Sequence, residues 1–274
     1  MKRIFYGIGG GNMRDEKMAA HYPRIVELAR SQFGVRNPNV SIFPTAHLNG
    51  INEKMGRGWM DFIVEEFERL GCEVRNIWIG DLSPEQKGQS NSEVVKQLGE
   101  SEIVFVLGGD TRYLLEVVRE RGLVEPIIQS FEAGTVFAGT SAGLIWFTGH
   151  CLSDSESFHK DEWDYVMLKG LGVFPFAVNV HDNGAVPDGI IDTRSRKEQF
   201  EEEFLGLRVP KGITVDEMVG IEIIDGVCSV STADPAIGVE LLKPVGGKVI
   251  RKRLEPGENI DLFDDAAWSS RFGE

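Results

Sequence analysis

Gly139-Thr140-Ser141-Ala142-Gly143 places a hydroxyl between small residues, after the apolar run Thr135-Val136-Phe137-Ala138 and before Leu144-Ile145-Trp146-Phe147. A strand that turns sharply into a helix lifts its central side chain above the sheet, and glycine two positions away on each side lets strand and helix pass closely. Ser141 is therefore the candidate nucleophile, set against the plainer reading of a glycine-rich turn with an incidental serine. A second tip supports the chemical reading. Ile103-Val104-Phe105-Val106-Leu107 ends in Gly108-Gly109-Asp110-Thr111 and leads into a helix of Tyr113, Leu114, Leu115, Val117 and Val118. The carboxyl edge of an open parallel sheet is where ligands bind, and unhindered amides there can donate to a developing oxyanion. Gly109 or its neighbour Asp110 is expected to share that role with the amide of Ala142. Among five histidines, His181 closes the run Phe174 to Val180 and opens a polar loop, where a strand would deliver a general base to the same sheet edge. His21, His47, His150 and His159 lie in segments without a strand-end signature.

These residues need a scaffold, and the first half of the chain supplies the rhythm of one. Strand-like and helix-like segments alternate: Ile4 to Ile8, Arg24 to Phe33, Val40 to Phe43, Trp59 to Leu70, Glu73 to Ile79. Strands that are apolar nearly throughout are buried on both faces, as in a parallel sheet covered by helices. The fold class is α/β, with a doubly wound, mostly parallel sheet. After residue 205 short β segments follow at Ile213 to Val215, Gly220 to Ile224, Val227 to Val230 and Gly238 to Leu242, with Asp225-Gly226 as a hairpin turn. The sheet is expected to gain antiparallel strands there. No repeat or linker divides the chain, so residues 1–274 are read as one domain.

With 43 acidic and 29 basic residues the formal charge is −14, which argues against nucleic acid and anionic membranes as partners. Three cysteines without a CxxC spacing fit a reducing compartment. The start, Met1 to Tyr6, reaches Gly9-Gly10-Gly11-Asn12 before an adequate apolar stretch accumulates, so no signal peptide is expected. No apolar run approaches the roughly eighteen residues that span a bilayer. A soluble, cytoplasmic protein is the expectation. No histidine spacing suggests a metal, and Gly7-Ile8-Gly9-Gly10-Gly11-Asn12 lacks the third glycine of a dinucleotide fingerprint, so no cofactor is implied.

Taken in order, GGDTRYLL, GTSAG, GLGVFPF leading to His181, Thr193-Arg194, and Thr214-Val215-Asp216-Glu217 resemble the blocks of the dipeptidase E family of serine peptidases, with the cyanophycinases as close relatives. The blocks span residues 102–224 or so, and their order is more specific than any one of them. The resemblance implies a fold like that of class I glutamine amidotransferases, with serine in place of cysteine. It implies Ser141 as nucleophile, His181 as base, and an oxyanion hole formed by the Gly108-Gly109-Asp110 tip with Ala142. The family arginine that holds a substrate aspartate falls on Arg194, with Arg196 next best. The acid of the triad falls on Asp154 if the dipeptidase E branch is followed and on Glu217 if the cyanophycinase branch is; Glu217 is favoured because it adjoins a strand. Where dipeptidase E has an aromatic residue after its histidine, this chain has Asp182-Asn183-Gly184. The implied activity is cofactor-free hydrolysis of short peptides, Asp-X dipeptides among them. A cyanophycinase or isoaspartyl peptidase, or a non-catalytic amidotransferase-like binding protein, are the alternatives, and assembly as a homodimer is left open.

Overall fold

Mostly apolar runs of four or five residues form the central parallel strands that the sequence leads one to expect, while the edge strand is the polar Glu73-Val74-Arg75-Asn76. The structure, a computed structural model, describes residues 1–48, 53–80 and 88–273. Its strands are β1 (Ile4–Ile8), β2 (Asn39–Phe43), β3 (Glu73–Asn76), β4 (Ile103–Val106), β5 (Val136–Thr140), β6 (Thr148–Ser153), β7 (Val166–Lys169), β8 (Phe174–Val180), β9 (Gly212–Val215), β10 (Gly220–Ile224), β11 (Val227–Ser231), β12 (Val239–Val245), β13 (Lys248–Leu254) and β14 (Asn259–Asp261). One sheet has the order β14-β11-β10-β1-β5-β4-β2-β3. Its β1, β5, β4, β2 and β3 run parallel, and β10 joins antiparallel to β1. Asp225 and Gly226 connect β10 to β11 with φ of 50° and 93°, the left-handed pair that a two-residue hairpin of this kind requires.

The single sheet expected from the sequence is in fact two. A second, six-stranded sheet has the order β13-β12-β9-β8-β6-β7, so the strand that ends at His181 does not belong to the sheet that carries Ser141. Of the late strands, β10, β11 and β14 extend the first sheet while β9, β12 and β13 extend the second. The new sheet opens with β6, whose Thr148-Gly149-His150-Cys151-Leu152-Ser153 has neither an apolar run nor clean alternation, so nothing local announces it. The chain crosses back between β9 and β10, and that crossing carries Glu217.

Both faces of the first sheet are covered. Phe5 of β1 points into a core with Phe131, Phe137, Phe147 and Phe174, while Ile4, Tyr6 and Ile8 point into another with Tyr22, Ile25 and Phe67. The first of these cores continues into the second sheet through Phe176, Val178, Ile213 and Leu241. Each fully buried aromatic or aliphatic side chain is worth about 1.5–3 kcal/mol, so a core shared by two sheets fixes one against the other. Cys72, Cys151 and Cys228 are buried free thiols, and burial pushes the Cys72 thiol up to about 11.

The turn after β5 is the tightest point of this packing. A Cβ on Gly143 would lie 2.1 Å from the Val106 carbonyl oxygen, and one on Gly139 would lie 2.6 Å from the Gly143 oxygen. Because both obstacles are backbone, Gly143→Ala is expected to destabilise the protein by about 3 kcal/mol or to prevent folding. Gly206→Ala, at a helical position with nothing within 4 Å, is expected to be neutral or stabilising. Thermal melts of the two variants check the pair; equal midpoints would remove the close-approach argument.

Candidate active site

Ser141 stands between β5 and the one-turn helix Ala142–Ile145 with φ 51° and ψ −110°, a conformation that L-residues seldom adopt. It is held there by its neighbours: the Ser141 N–H donates to the Ile8 carbonyl at 2.9 Å, and its own carbonyl accepts from Leu144 and Ile145. The chain thus secures the strained residue against β1 on one side and the helix on the other. Its hydroxyl oxygen lies 2.9 Å from His181 Nε2.

His181 follows β8 directly, also at positive φ (55°), with its N–H on the Gly9 carbonyl and its carbonyl accepting from Gly184. Its Nδ1 lies 2.7 Å from Glu217 Oε1. A carboxylate only accepts, so Nδ1 carries a proton, and in the neutral ring the Nε2 lone pair then faces Ser141. The hydrogen bond from His181 holds the Glu217 carboxyl below its ordinary range despite partial burial, keeping it ionised. An alcohol, an imidazole and a carboxylate in series let the hydroxyl lose its proton as it attacks an acyl carbon.

Three adjacent strand tips build this place, not two. Besides β5 and β4, the tip of β1 brings Gly9, Gly10 and Gly11 under the histidine. A Cβ on Gly10 would lie 2.0 Å from His181 Cε1, and one on Gly9 would lie 2.1 Å from the Asp216 carbonyl oxygen. The glycines that fail as a nucleotide fingerprint are the bed on which the imidazole and the Glu217 turn rest. Met218 N–H donates to the Gly10 carbonyl at 2.8 Å and Gly9 N–H to the Val219 carbonyl at 2.9 Å. Asn183 Oδ1 takes the Glu217 N–H at 2.8 Å. The run of glycines after a strand was the only local signal for these contacts.

The β4 tip is arranged differently from expectation. Gly108 lies against the nucleophile, where a Cβ would be 3.2 Å from that of Ser141, and Gly109 has φ 133° with no room for a side chain beside Ala46. Asp110, however, is not placed as an oxyanion donor. Its N–H is spent on the Ala46 carbonyl at 2.9 Å, and its fully buried carboxyl caps the Thr111–Glu120 helix through Tyr113 N–H and takes His159 Nε2 at 2.7 Å. Ala142 opens its helix, so its amide is among those a helix leaves without an internal partner.

A pocket of about 450 Å³ opens beside His181 and Glu217, lined by Asp154, Tyr165, Asn183 and Arg196 among others. Asp154, the alternative acid, faces Arg196 Nη1 at 3.6 Å and not the imidazole. Arg194 does not reach this pocket. Its guanidinium is exposed and held by Asp192 and Glu202 at the surface. Arg196 is buried instead, with Nε on Asn179 Oδ1, Nη2 on the Leu152 carbonyl, both at 2.9 Å, and its guanidinium 4.7 Å from the centre of the Tyr165 ring. Asp182, which stands where an aromatic residue was expected, turns away to Arg251 Nη1 at 3.1 Å and Asn179 Nδ2 at 2.8 Å. Among the described residues no group of three or more His, Cys, Asp or Glu side chains is placed to hold a metal, and no helix is long and apolar enough to cross a membrane.

Comparison with known proteins gives the chain a family. A family model described as peptidase family S51 matches residues 7–230. The peptidase E of Citrobacter koseri is 34% identical over 102 residues, 36% of this chain and 42% of that protein. The peptidase E of Salmonella arizonae is 35% identical over 97 residues, 35% of this chain and 40% of that protein. The match thus spans less than half the length of these curated relatives. Among solved structures, a peptidase from an acI-B1 Actinobacterium superposes with a TM-score of 0.71 at 20% identity, covering 95% of this chain and 97% of that one, a likeness of fold.

The contact between Gly10 and the imidazole yields a direct test. Gly10→Ala adds a methyl group at φ 109° that must displace His181, and an ångström of displacement at a reacting group can cost about 100-fold in rate. We expect a folded protein, destabilised by about 1–3 kcal/mol, whose Ser141 reacts about 100-fold more slowly with a fluorophosphonate followed by intact mass. An unchanged labelling rate would show that the glycine bed does not position the histidine.

Proposed function

Since the chain belongs to peptidase family S51, we propose that it is a serine peptidase that cleaves short peptides through Ser141, His181 and Glu217, on a scaffold of the class I glutamine amidotransferase kind. The observation that carries this reading is the series of two short contacts, Ser141 Oγ to His181 Nε2 at 2.9 Å and His181 Nδ1 to Glu217 Oε1 at 2.7 Å. His181 takes the hydroxyl proton as Ser141 Oγ bonds to the scissile carbonyl carbon, then returns it to the leaving amine as the C–N bond breaks. Water, deprotonated in the same way, releases the acyl group from the serine. Glu217 keeps Nδ1 protonated throughout and stabilises the imidazolium. The amides of Gly109 and Ala142 are assigned to the oxyanion.

The adjoining pocket supports a substrate with an N-terminal aspartyl residue. Arg196 spends Nε and Nη2 on fixed protein acceptors, which leaves Nη1 as the donor facing the pocket, with Asp154 opposite at 3.6 Å. It therefore offers one charged donor and not the two-pronged fork that would have justified Arg194. A cation and an anion at that spacing suit a residue that presents both a carboxylate and an ammonium. An N-terminal aspartyl residue does so whichever of its two carboxyls forms the scissile bond, so Asp-X dipeptides are the first reading. Isoaspartyl peptides are the second, favoured by the position of the acid after the histidine, as in the cyanophycinase branch.

Several expected outcomes separate these assignments. Ser141→Ala should lose about 10⁶ in kcat, and more than a tenth of wild-type activity would sink the mechanism. Glu217→Gln should lower kcat by about 100-fold or more with KM little changed. Asp154→Asn should change kcat by less than about tenfold but raise KM for substrates with a free N-terminal amine, because it removes the counter-charge for the ammonium; the reverse ranking of the two acids would transfer the triad role to Asp154. Arg196→Met should abolish Asp-X selectivity over Ala-X, whereas Arg194→Ala should leave it intact. A screen of Asp-X, Glu-X, isoaspartyl and N-acetyl-Asp-X peptides identifies the linkage.

A further inference from the structure

His21 opens the helix His21–Phe33, is 3% exposed, and has no part in the mechanism above. Its ring bridges the first sheet and the β9–β10 turn. Tyr6 Oη lies 2.7 Å from Nδ1, and Nε2 lies 3.1 Å from the Met218 carbonyl oxygen. Since a carbonyl only accepts, Nε2 bears the proton and Nδ1 accepts from the tyrosine hydroxyl. Burial lowers the pKa of the ring, in keeping with this neutral form.

Met218 follows Glu217 and has φ 63°, a left-handed conformation that costs a residue with a Cβ about 1 kcal/mol and must be imposed from outside. The imposition is visible at both of its peptide groups. The Glu217-Met218 peptide N–H is held by the Gly10 carbonyl at 2.8 Å, and the Met218-Val219 peptide carbonyl is held by His21. Gly220 leaves the space the ring needs, since a Cβ there would lie 2.7 Å from Tyr6 Oη and 3.0 Å from His21 Cε1. Were the Met218 carbonyl released, the residue could relax to negative φ, and the preceding Glu217 would swing away from the imidazole it meets at 2.7 Å.

We propose that His21, oriented by Tyr6, is a positioning residue that locks the Met218 turn so that the Glu217 carboxylate meets His181 Nδ1. The proposal rests on reading Ser141, His181 and Glu217 as the working triad. It assigns to a buried histidine an effect on the reaction carried wholly by the geometry of another side chain.

The test is a double-mutant cycle with a spectroscopic arm. His21→Phe keeps a flat ring and removes the donor; it should lower kcat by about tenfold or more, part of the about 10⁴-fold that loss of a triad acid can cost, with KM little changed. His21→Gln, which can still donate to the Met218 carbonyl, should recover most of that loss. In the Glu217→Gln background the His21→Phe substitution should cost less than about threefold, because what it disturbs is already gone. An equal cost in both backgrounds, or an unchanged kcat in the first, would overturn the proposal. Independently of activity, the far-downfield proton resonance of an imidazole Nδ1–H held by a carboxylate should be present in wild type and His21→Gln, and lost in His21→Phe with the fold retained by circular dichroism. Its persistence in His21→Phe would also overturn the proposal, even if the wild type hydrolysed no peptide and the functional reading fell by itself. Should His21→Phe fail to fold, Tyr6→Phe, which removes only the orienting hydroxyl, carries the same cycle and the same resonance test.

Discussion

Backbones that pass closer than a side chain permits are the constraint on which this site depends. A Cβ on Gly143 would stand 2.1 Å from the Val106 carbonyl oxygen, one on Gly9 2.1 Å from the Asp216 carbonyl oxygen, and one on Gly10 2.0 Å from the His181 ring. Each approach joins a different pair of elements: β5 and its helix to β4, the β1 tip to the Glu217 turn, and the β1 tip to the histidine. Glycine is needed at all three because the obstacle is backbone or a ring that can retreat only by leaving its partners. Dense packing of this sort transmits small shifts without absorbing them, which suits a place where donors and acceptors must meet within a few tenths of an ångström.

The two sheets contribute different parts. The first supplies Ser141 and the amides of the β4 and β5 tips; the second supplies His181 at the end of β8, and the crossing between sheets supplies Glu217. Such a seam would be loose if each sheet had its own core. One aromatic cluster, with Phe5 against Phe147 at 5.1 Å and against Phe174 at 5.2 Å, instead spans both and packs them together below the site. Above it, the hydrogen bonds from His181 N–H to Gly9 and from Met218 N–H to Gly10 tie the second sheet to the first within one residue of the imidazole and the carboxylate.

Legibility in the sequence followed local energetics. The central parallel strands were readable because burial on both faces writes a mostly apolar run, as in Ile103 to Leu107, and the β10–β11 hairpin because Asp225-Gly226 is demanded by its turn. Ser141, His181 and Glu217, marked at a tip, at a strand end and beside a strand, are brought together by the fold. What could not be read was nonlocal: that β8 leaves the first sheet, and that the β1 glycines serve the histidine. Asp110 misled because a residue after two glycines reads equally as an amide donor and as a helix cap. Arg194 misled for another reason, and here a local signal existed. Ser195 and Glu198 form a reciprocal cap, Ser195 Oγ accepting from Glu198 N–H while Glu198 accepts from Ser195 N–H at 2.9 Å, so the helix begins at Arg196. The residue before such a cap lies outside the helix, and here Arg194 is exposed while the first helical residue, Arg196, turns inward.

That buried arginine also bears on how two nearby carboxylates are placed. Asp154 and Glu217 line the same pocket, and either could in principle face an imidazole. A buried guanidinium needs compensation more than a partly exposed imidazole does, since an unpaired charge in low dielectric is expensive to maintain. Arg196, 7% exposed and otherwise bonded only to neutral acceptors, therefore draws Asp154, at 3.6 Å. Glu217, whose own N–H is fixed by Asn183 and whose turn is fixed by Gly10, is left to the histidine. In a chain with a formal charge of −14, carboxylates are plentiful, and what distinguishes one from another is the placement of the few buried cations. Which partner each of the two acids faces is thus set less by the acids than by the helix start that buries Arg196.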